Sequence, residues 1–288
     1  MNKPVKYVFI SSTISDLEQE RAFVKQYIES YDIVSITCLL SESPDFPITP
    51  SNLSKDTYHI CIENLLKCDY VIQLLNRRYG VSDIEDAGEF ISIMHKEYRE
   101  AFRNRLTVFT IAHKKLWDAY NAYKKGKPQA YVDNTQKQLF ALLDEAQGHQ
   151  RKKWIFRYET ISDIETILRN SFFVFDDSIF VSDVTFPDGS SVKVNEKFEK
   201  IWEIKNNGLI VFENRFLKEE NPGCGLKPEC SLVPLPRTLP GENLQISVVF
   251  TAPQYPGTYE SYWKMVDASG RQCFPWKKGV RCCVKVIY

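Results

Sequence analysis

Nowhere in the 288 residues does an apolar run approach the roughly 20 that a membrane-spanning helix requires, which excludes helical membrane passage. The opening MNKPVKYVFI carries two lysines and a short apolar stretch that runs directly into SSTISD. It therefore lacks the hydrophobic length and the cleavage site of a signal peptide, and the cytosol is the expected location. Net charge is also absent: 37 basic side chains oppose 37 acidic ones, which excludes the broad basic surface that nucleic acid or an anionic membrane selects. The 8 cysteines make no CxxC pair and no disulfide framework, as suits a reducing compartment. Cys224, Cys230 and Cys273 have no companion histidine in their half of the chain, and the gap between the first two is not that of a usual knuckle. No metal site and no resident cofactor are expected. There is no internal repeat and no low-complexity tract.

What is present divides in two. Residues 1–177 contain 4 Gly and 5 Pro, whereas residues 178–288 contain 8 Gly and 9 Pro. The first part alternates short β-branched runs with helical patterns, and the second has short alternating runs between Pro and Gly turns. That contrast predicts an α/β domain over 1–177 followed by an all-β domain over 178–288, joined near Asp176 to Ser182. Strands are expected at Tyr7–Ser11, Ile33–Leu40, Tyr70–Leu75, Leu106–Ala112 and Trp154–Tyr158. Ser15 and Glu18 have capping-box spacing, so a helix should begin immediately after the first strand. Five such strands with intervening helices most economically form a flavodoxin-like parallel sheet of order 2-1-3-4-5. Its ligands would bind beyond the carboxyl ends of strands one and three.

That rule brings Ser11, Ser12 and Thr13 together with the loop Asn76-Arg77-Arg78-Tyr79-Gly80. Hydroxyls, helix N-terminal amides and guanidinium groups suit a phosphate-bearing or ribose-bearing ligand; the same residues also fit a plain helix cap and a surface ion pair. The next helix, Ile91–Arg103, has an apolar stripe of Ile91, Met94, Tyr98, Ala101 and Phe102. Glu97 lies about 90° from the stripe centre, on its border, while Glu100 points to water and His95 to the surface. Glu97 is the crevice carboxylate of choice, or else a boundary salt-bridge residue. Leu116–Tyr123 and Gln136–Ala146 read as helices, and the loop Lys124–Asn134 between them as a lid or spacer; this stretch is also a candidate dimer surface.

The segments YVFISSTISDLEQER, CDYVIQLLNRRYG and ISIMHKEYREA resemble the TIR-like domain of unknown function family 4062 over about residues 5–112. The resemblance implies kinship with TIR and nucleoside-deoxyribosyltransferase domains, in which a glutamate on the helix after the third strand assists cleavage of an N-glycosidic bond. Mapped onto this sequence, the glutamate is Glu97, with Ser92 at the start of its helix, Arg78 and Tyr79 in the preceding loop, and Ser11 and Ser12 at the first strand end. Met94 stands where the family has Thr, and the insert Val81–Phe90 is acidic. The implied chemistry is loss of nicotinamide from NAD, or the equivalent step on a related nucleotide, through an oxocarbenium-like transition state. The implied setting is bacterial anti-phage immunity, with a homo-oligomer as the working form. The implied alternative is a non-enzymatic adaptor or self-assembling protein.

In the second part, Trp202, Ile204, the turn Asn206-Asn207-Gly208, the run Ile246–Phe250, APQYPGTYESYWKMVDASG and the final GVRCCVKVIY alternate with strand period. About seven strands in this length fit an immunoglobulin-like sandwich, with Tyr259, Ser261, Trp263 and Met265 on one face, and Cys282 inside while Cys283 faces outward. The loop Glu219–Pro240 reads as an irregular insertion exposed for recognition. Over about residues 180–288 the pattern is similar to the four-tryptophan, immunoglobulin-like domain of the neighbour-of-BRCA-one autophagy receptor. That resemblance implies a protein partner, with Phe212, Trp263 and Trp276 as contact residues; Phe212 stands where a further tryptophan is expected.

Overall fold

The structure is a computed structural model that describes residues 5–40, 57–80, 82–86, 88–126, 132–149 and 155–288. The chain forms two compact units that meet at the Phe173/Val174 bond. The junction falls there because Phe175, Asp176 and Asp177 already serve the second unit. The Phe175 carbonyl accepts from the Leu209 amide at 2.8 Å, the Asp177 carbonyl accepts from Asn207, and Asp176 pairs with Arg215.

The first unit contains β1 (Val5–Ser11), α1 (Glu18–Glu29), β2 (Ser35–Leu40), α2 (Thr57–Leu65), β3 (Tyr70–Leu75), β4 (Ser82–Asp86), β5 (Glu89–Ser92), α3 (Ile93–Arg103), β6 (Thr107–His113), α4 (Lys114–Lys124), α5 (Asn134–His149), β7 (Ile155–Tyr158) and α6 (Ile161–Ile167). Five strands form a parallel sheet of order β2-β1-β3-β6-β7, the doubly wound arrangement expected. The central strand β3, YVIQLL, is buried along its whole length, as a strand covered on both faces must be. Alternate residues serve opposite layers. Phe9, Val71 and Leu75 pack with α2 to α5 in one core. On the other face, Phe172, in a π turn after α6, sets its ring against Tyr70 and Phe109.

One expectation is corrected. The Ser15–Glu18 capping box does not form: α1 is capped by Leu17 without a side-chain bond, because Ser15 instead accepts from Arg78. The acidic insert folds as the β4–β5 hairpin, with Gly88 at φ +83° beside its turn. Its alternation is masked in the sequence by carboxylates, of which Asp86 and Glu89 find counter-charges on α3. Trp154 and the middle of the Lys124–Asn134 loop lie outside the described residues; the last strand is seen from Ile155.

The second unit contains β8 (Ser178–Asp183), β9 (Ser190–Lys193), β10 (Lys197–Asn206), β11 (Phe216–Glu219), β12 (Lys227–Pro228), β13 (Leu232–Pro234), β14 (Asn243–Thr251), β15 (Gly257–Val266) and β16 (Val280–Ile287). They form a β-sandwich of two sheets, β12-β14-β10-β8 and β13-β11-β15-β16-β9, antiparallel throughout except for the β16–β9 pair. Trp202 and Trp263 face each other in the core, ring centroids 6.3 Å apart. Each indole N–H is satisfied, Trp202 donating to the Arg281 carbonyl and Trp263 to Ser261 Oγ, both at 2.8 Å. The loop Glu219–Pro240 is not irregular throughout, since β12 and β13 within it extend one sheet each. Cys283 points away from the core, yet it is covered by its neighbours rather than open to water.

Candidate functional site

The parallel register places Ser11, the last residue of β1, beside Gln73 of β3, and Gln73 beside Thr110 of β6. These three polar residues form a row at the carboxyl side of the sheet, and all are buried. Thr110 Oγ1 donates to Gln73 Oε1 at 3.3 Å, while Gln73 Nε2 has no hydrogen-bond partner among the described residues. Over the row, α3 delivers Glu97. Ser11 Oγ donates to Glu97 Oε2 at 2.6 Å, and the two residues are 1% and 2% exposed. An ionised carboxylate at such depth costs several kcal/mol in desolvation, so it is retained only where hydrogen bonds and charge return that energy.

Glu97 is thus inside the fold and not on a border, and the cause is visible on α3. His95 and Lys96 are buried as well, because α5 and the β4–β5 hairpin cover the face that helical periodicity assigns to water. Asp86 of the hairpin receives Lys96 Nζ at 2.6 Å and Arg99 Nη1 at 2.9 Å. Glu145 of α5 receives Arg99 Nη2 at 2.5 Å, and His95 Nε2 lies 3.2 Å from Glu145 Oε1. Burial is the largest single influence on both carboxyls and pushes them up. The bonds from Lys96 and Arg99 nevertheless hold Asp86 far below the usual carboxylate range. Those from His95 and Arg99 carry Glu145 down to about 2. Glu100, expected in water, is half-buried between Lys96 and Arg103, while Phe102 of the expected stripe is exposed.

The two loops at the sheet edge are tied together by Asp16. Its carboxylate accepts from Thr13 Oγ1 at 2.5 Å and from the Arg78 amide at 3.3 Å, and its carbonyl accepts from Asn76 Nδ2. The Arg78 guanidinium donates to Ser15 Oγ at 3.0 Å. Gly80 adopts φ +88°, a left-handed conformation natural to glycine, with Ser92 and Thr13 as the neighbours of a side chain placed there. Ser92 caps α3 by accepting from the His95 amide. Ser12 Oγ is buried without a hydrogen-bond partner among the described residues.

Of the expected site residues, the fold joins Ser11 to Glu97, Thr13 to Arg78 through Asp16, and Ser92 to the Gly80 turn. Tyr79 departs from expectation: its hydroxyl lies 2.5 Å from His95 Nδ1 in the buried interior, so its polar end serves the His95–Glu145 chain. Of the expected partner contacts, Phe212 and Trp263 are fully buried and are not exposed as surface contacts. Phe212 lies under the Arg215 guanidinium, 4.3 Å from ring centroid to Cζ. Trp276 alone of the three is exposed, at 57%. Sequence reasoning missed Asp16, Gln73, His95, Thr110 and Glu145; only Asp16 carried a local signal, as an aspartate directly before a helix.

The carboxyl edge of the sheet therefore holds a buried Glu97 carboxyl bonded to the Ser11 hydroxyl, and the neighbouring loop carries the Arg78 guanidinium. Such a group can orient ribose hydroxyls and stabilise positive charge that develops nearby. Among the described residues no three His, Cys, Asp or Glu side chains are grouped to hold a metal, and no helix is long and apolar enough to cross a membrane.

Comparison with known proteins divides the chain at the same place. Residues 185–286 match the family described as the Ig-like domain from next to BRCA1 gene. Over 100 residues this part is 38% identical to Protein JOKA2 of Solanum tuberosum and 33% identical to the Protein NBR1 homolog of Arabidopsis thaliana. Each match covers 33% of this chain, and 12% and 14% of those proteins. Protein ILRUN of Danio rerio is 32% identical over 98 residues, covering 32% of each chain. The chain thus spans a third or less of the curated relatives it matches. Among solved structures, the CARDB domain of a Pyrococcus furiosus protein covers 41% of this chain and 94% of its own, at 16% identity and a TM-score of 0.29, too distant to carry an argument. Residues 7–172, more than half of the chain, match the family described as Domain of unknown function (DUF4062), and the chain belongs to that family.

Proposed function

We propose that the first unit cleaves the N-glycosidic bond of NAD or a related nucleotide, and that the sandwich binds a protein partner that triggers the reaction or drives self-assembly. The observation that carries this reading is the buried Ser11–Glu97 pair at the carboxyl edge of β1 and β3. As the N-glycosidic bond breaks, its electron pair leaves with nicotinamide, positive charge grows on the ribose ring in an oxocarbenium-like transition state, and water then adds to the anomeric carbon with release of a proton. A preorganised carboxylate in a water-poor site stabilises that charge more than it stabilises the neutral ring of the ground state. Ser11 holds the carboxylate oxygen in place. In this reading Arg78 and the amides of the Ser11–Thr13 segment receive the phosphates, with Thr13 and Ser92 beside the Gly80 turn. The role is that of an immune effector that depletes a nucleotide, working as a homo-oligomer in the cytosol.

The test is nicotinamide release from NAD by the wild-type protein and by Glu97→Gln, at dilute and at high protein concentration. Turnover in the wild type, reduced about a thousandfold or more in a folded Glu97→Gln protein, is the expected result. A second reading is favoured by the near-complete burial of Glu97. In it the unit binds a nucleotide without cleaving it and acts as an adaptor. Nucleotide binding with no turnover at any concentration selects that reading.

A further inference from the structure

The sandwich carries a groove that the crevice chemistry leaves unused. Tyr262, Lys264, Trp276, Lys277, Gly279 and Arg281 line a surface depression of about 750 Å³, together with Lys278. It shares Lys264, Lys277, Lys278 and Gly279 with a second, mainly apolar depression of about 270 Å³, whose lining includes Phe180 of β8, Phe274, Trp263 and Met265. The turn that separates them is built by Gly279 at φ +82°, where any side chain would collide with the Trp263 carbonyl. The rims are aromatic and open: Trp276 is 57% exposed and Phe180 53%.

Charge distinguishes this groove from the rest of a neutral chain. No acidic side chain lines the larger depression. Arg281 is neutralised by Asp188 and Glu260, and Lys277 by Asp177. Lys264 donates only to the neutral Gln272 Oε1 and the Pro275 carbonyl. Lys278 is exposed and has no carboxylate partner among the described residues. Two uncompensated ammonium groups thus flank an apolar hole that is larger than the roughly 150 Å³ which accepts a benzene ring. The hole also abuts β8, an edge strand that pairs with β10 among the described residues and exposes Ile179, Phe180 and Val181 ahead of its one carboxylate, Asp183.

We propose that this groove binds an extended acidic peptide segment, seating one bulky apolar side chain in the cavity and its flanking carboxylates on Lys264 and Lys278. The strand edge favours a peptide over a nucleic acid, because only a polypeptide can match backbone amides and carbonyls along β8. The proposal rests on the reading of the sandwich as the partner-binding half and is independent of turnover at Glu97.

The full chain is titrated with a fluorescein-labelled peptide of two glutamates, phenylalanine and two glutamates, read by anisotropy. Saturable binding is expected, weakened about tenfold or more by Lys278→Glu and also by replacing the phenylalanine with glycine. It should weaken as sodium chloride rises from about 50 to about 300 mM. Lys227→Glu, exposed outside the groove, should leave it unchanged; unaltered melting temperatures certify that both variants fold. Equal binding of the matching lysine peptide, indifference to Lys278→Glu, or tighter binding of oligothymidine at the same site would overturn the proposal. Because the nicotinamide assay reports only on Glu97, loss of one reading leaves the other standing. A partner that binds the sandwich of the Lys278→Glu protein undiminished would remove the groove and keep the sandwich's role.

Discussion

Glu145 carries more than one burden at the residue scale. It accepts from Arg99, lies beside His95, and through His95 reaches the hydroxyl of Tyr79, next to the Gly80 turn of the crevice. Its carboxyl titrates near 2, below the ordinary value of 4.5, so the folded state holds the ionised form more tightly than the unfolded chain does. A depressed carboxyl stabilises the fold above its unfolded pKa, and that contribution fades as pH falls from about 4.5 toward 2. Asp86 acts in the same direction over a range that extends lower. Glu145→Gln should therefore cost on the order of 2 kcal/mol at pH 7. It should also flatten the dependence of stability on pH between about 4.5 and 2. Urea unfolding across that range measures both effects; a variant as acid-sensitive as the wild type would show that the network does not hold the fold.

The turn before β16 is the sharpest test at the scale of elements. Gly279 is left-handed, and its α-carbon faces the Trp263 carbonyl with no room for a methyl group. Conformation and collision both oppose Gly279→Ala, so a loss of at least about 2 kcal/mol is expected, read as a lowered melting temperature. By contrast Gly189, also at positive φ but with open space around it, should tolerate alanine at about 1 kcal/mol, the conformational cost alone. Equal losses at the two positions would mean that the approach to Trp263 is not the limiting contact. The hairpin β4–β5 shows how an element can be stabilised outside itself: its carboxylates gain their energy from Lys96, Arg99 and Arg103 on α3, not from cross-strand pairs.

At the scale of the whole molecule, two hydrophobic clusters among the described residues each belong to one unit. The cluster around Phe9, Val71 and Tyr98 draws only on residues before Val174, and the cluster around Trp202, Phe250 and Trp263 only on residues after it. A fragment from Val174 to Tyr288 should therefore fold alone and unfold cooperatively, because every member of its core cluster among the described residues lies within it. A broad, non-cooperative melt of that fragment, followed by tryptophan fluorescence, would contradict this. The two functions proposed for the chain are accordingly testable on separate parts: turnover on the α/β unit, peptide binding on the sandwich.

The order of local periodicities determined much by itself. Runs such as YVFIS and YVIQLL are β-branched and apolar enough to be strands in any context, helical patterns alternate with them, and a right-handed parallel sheet of order 2-1-3-4-5 is the economical result. The sandwich was likewise legible from strands spaced by Pro and Gly turns, and the position of Glu97 after the third strand followed from topology. What the sequence left open were the quantities that depend on a second neighbour. Periodicity assigns each helix one buried face, so it placed Glu97 on a border and His95 and Glu100 toward water. Only the tertiary structure, by laying α5 and a charged hairpin over the polar side of α3, buries His95 with Glu97 and half-buries Glu100. Tertiary packing also decided the aromatics: Phe212 and Trp263 fill the core while Trp276 faces out. Trp263 sits on the inward face of β15 and Phe212 at a bridge to Thr238, whereas Trp276 lies in the loop before β16.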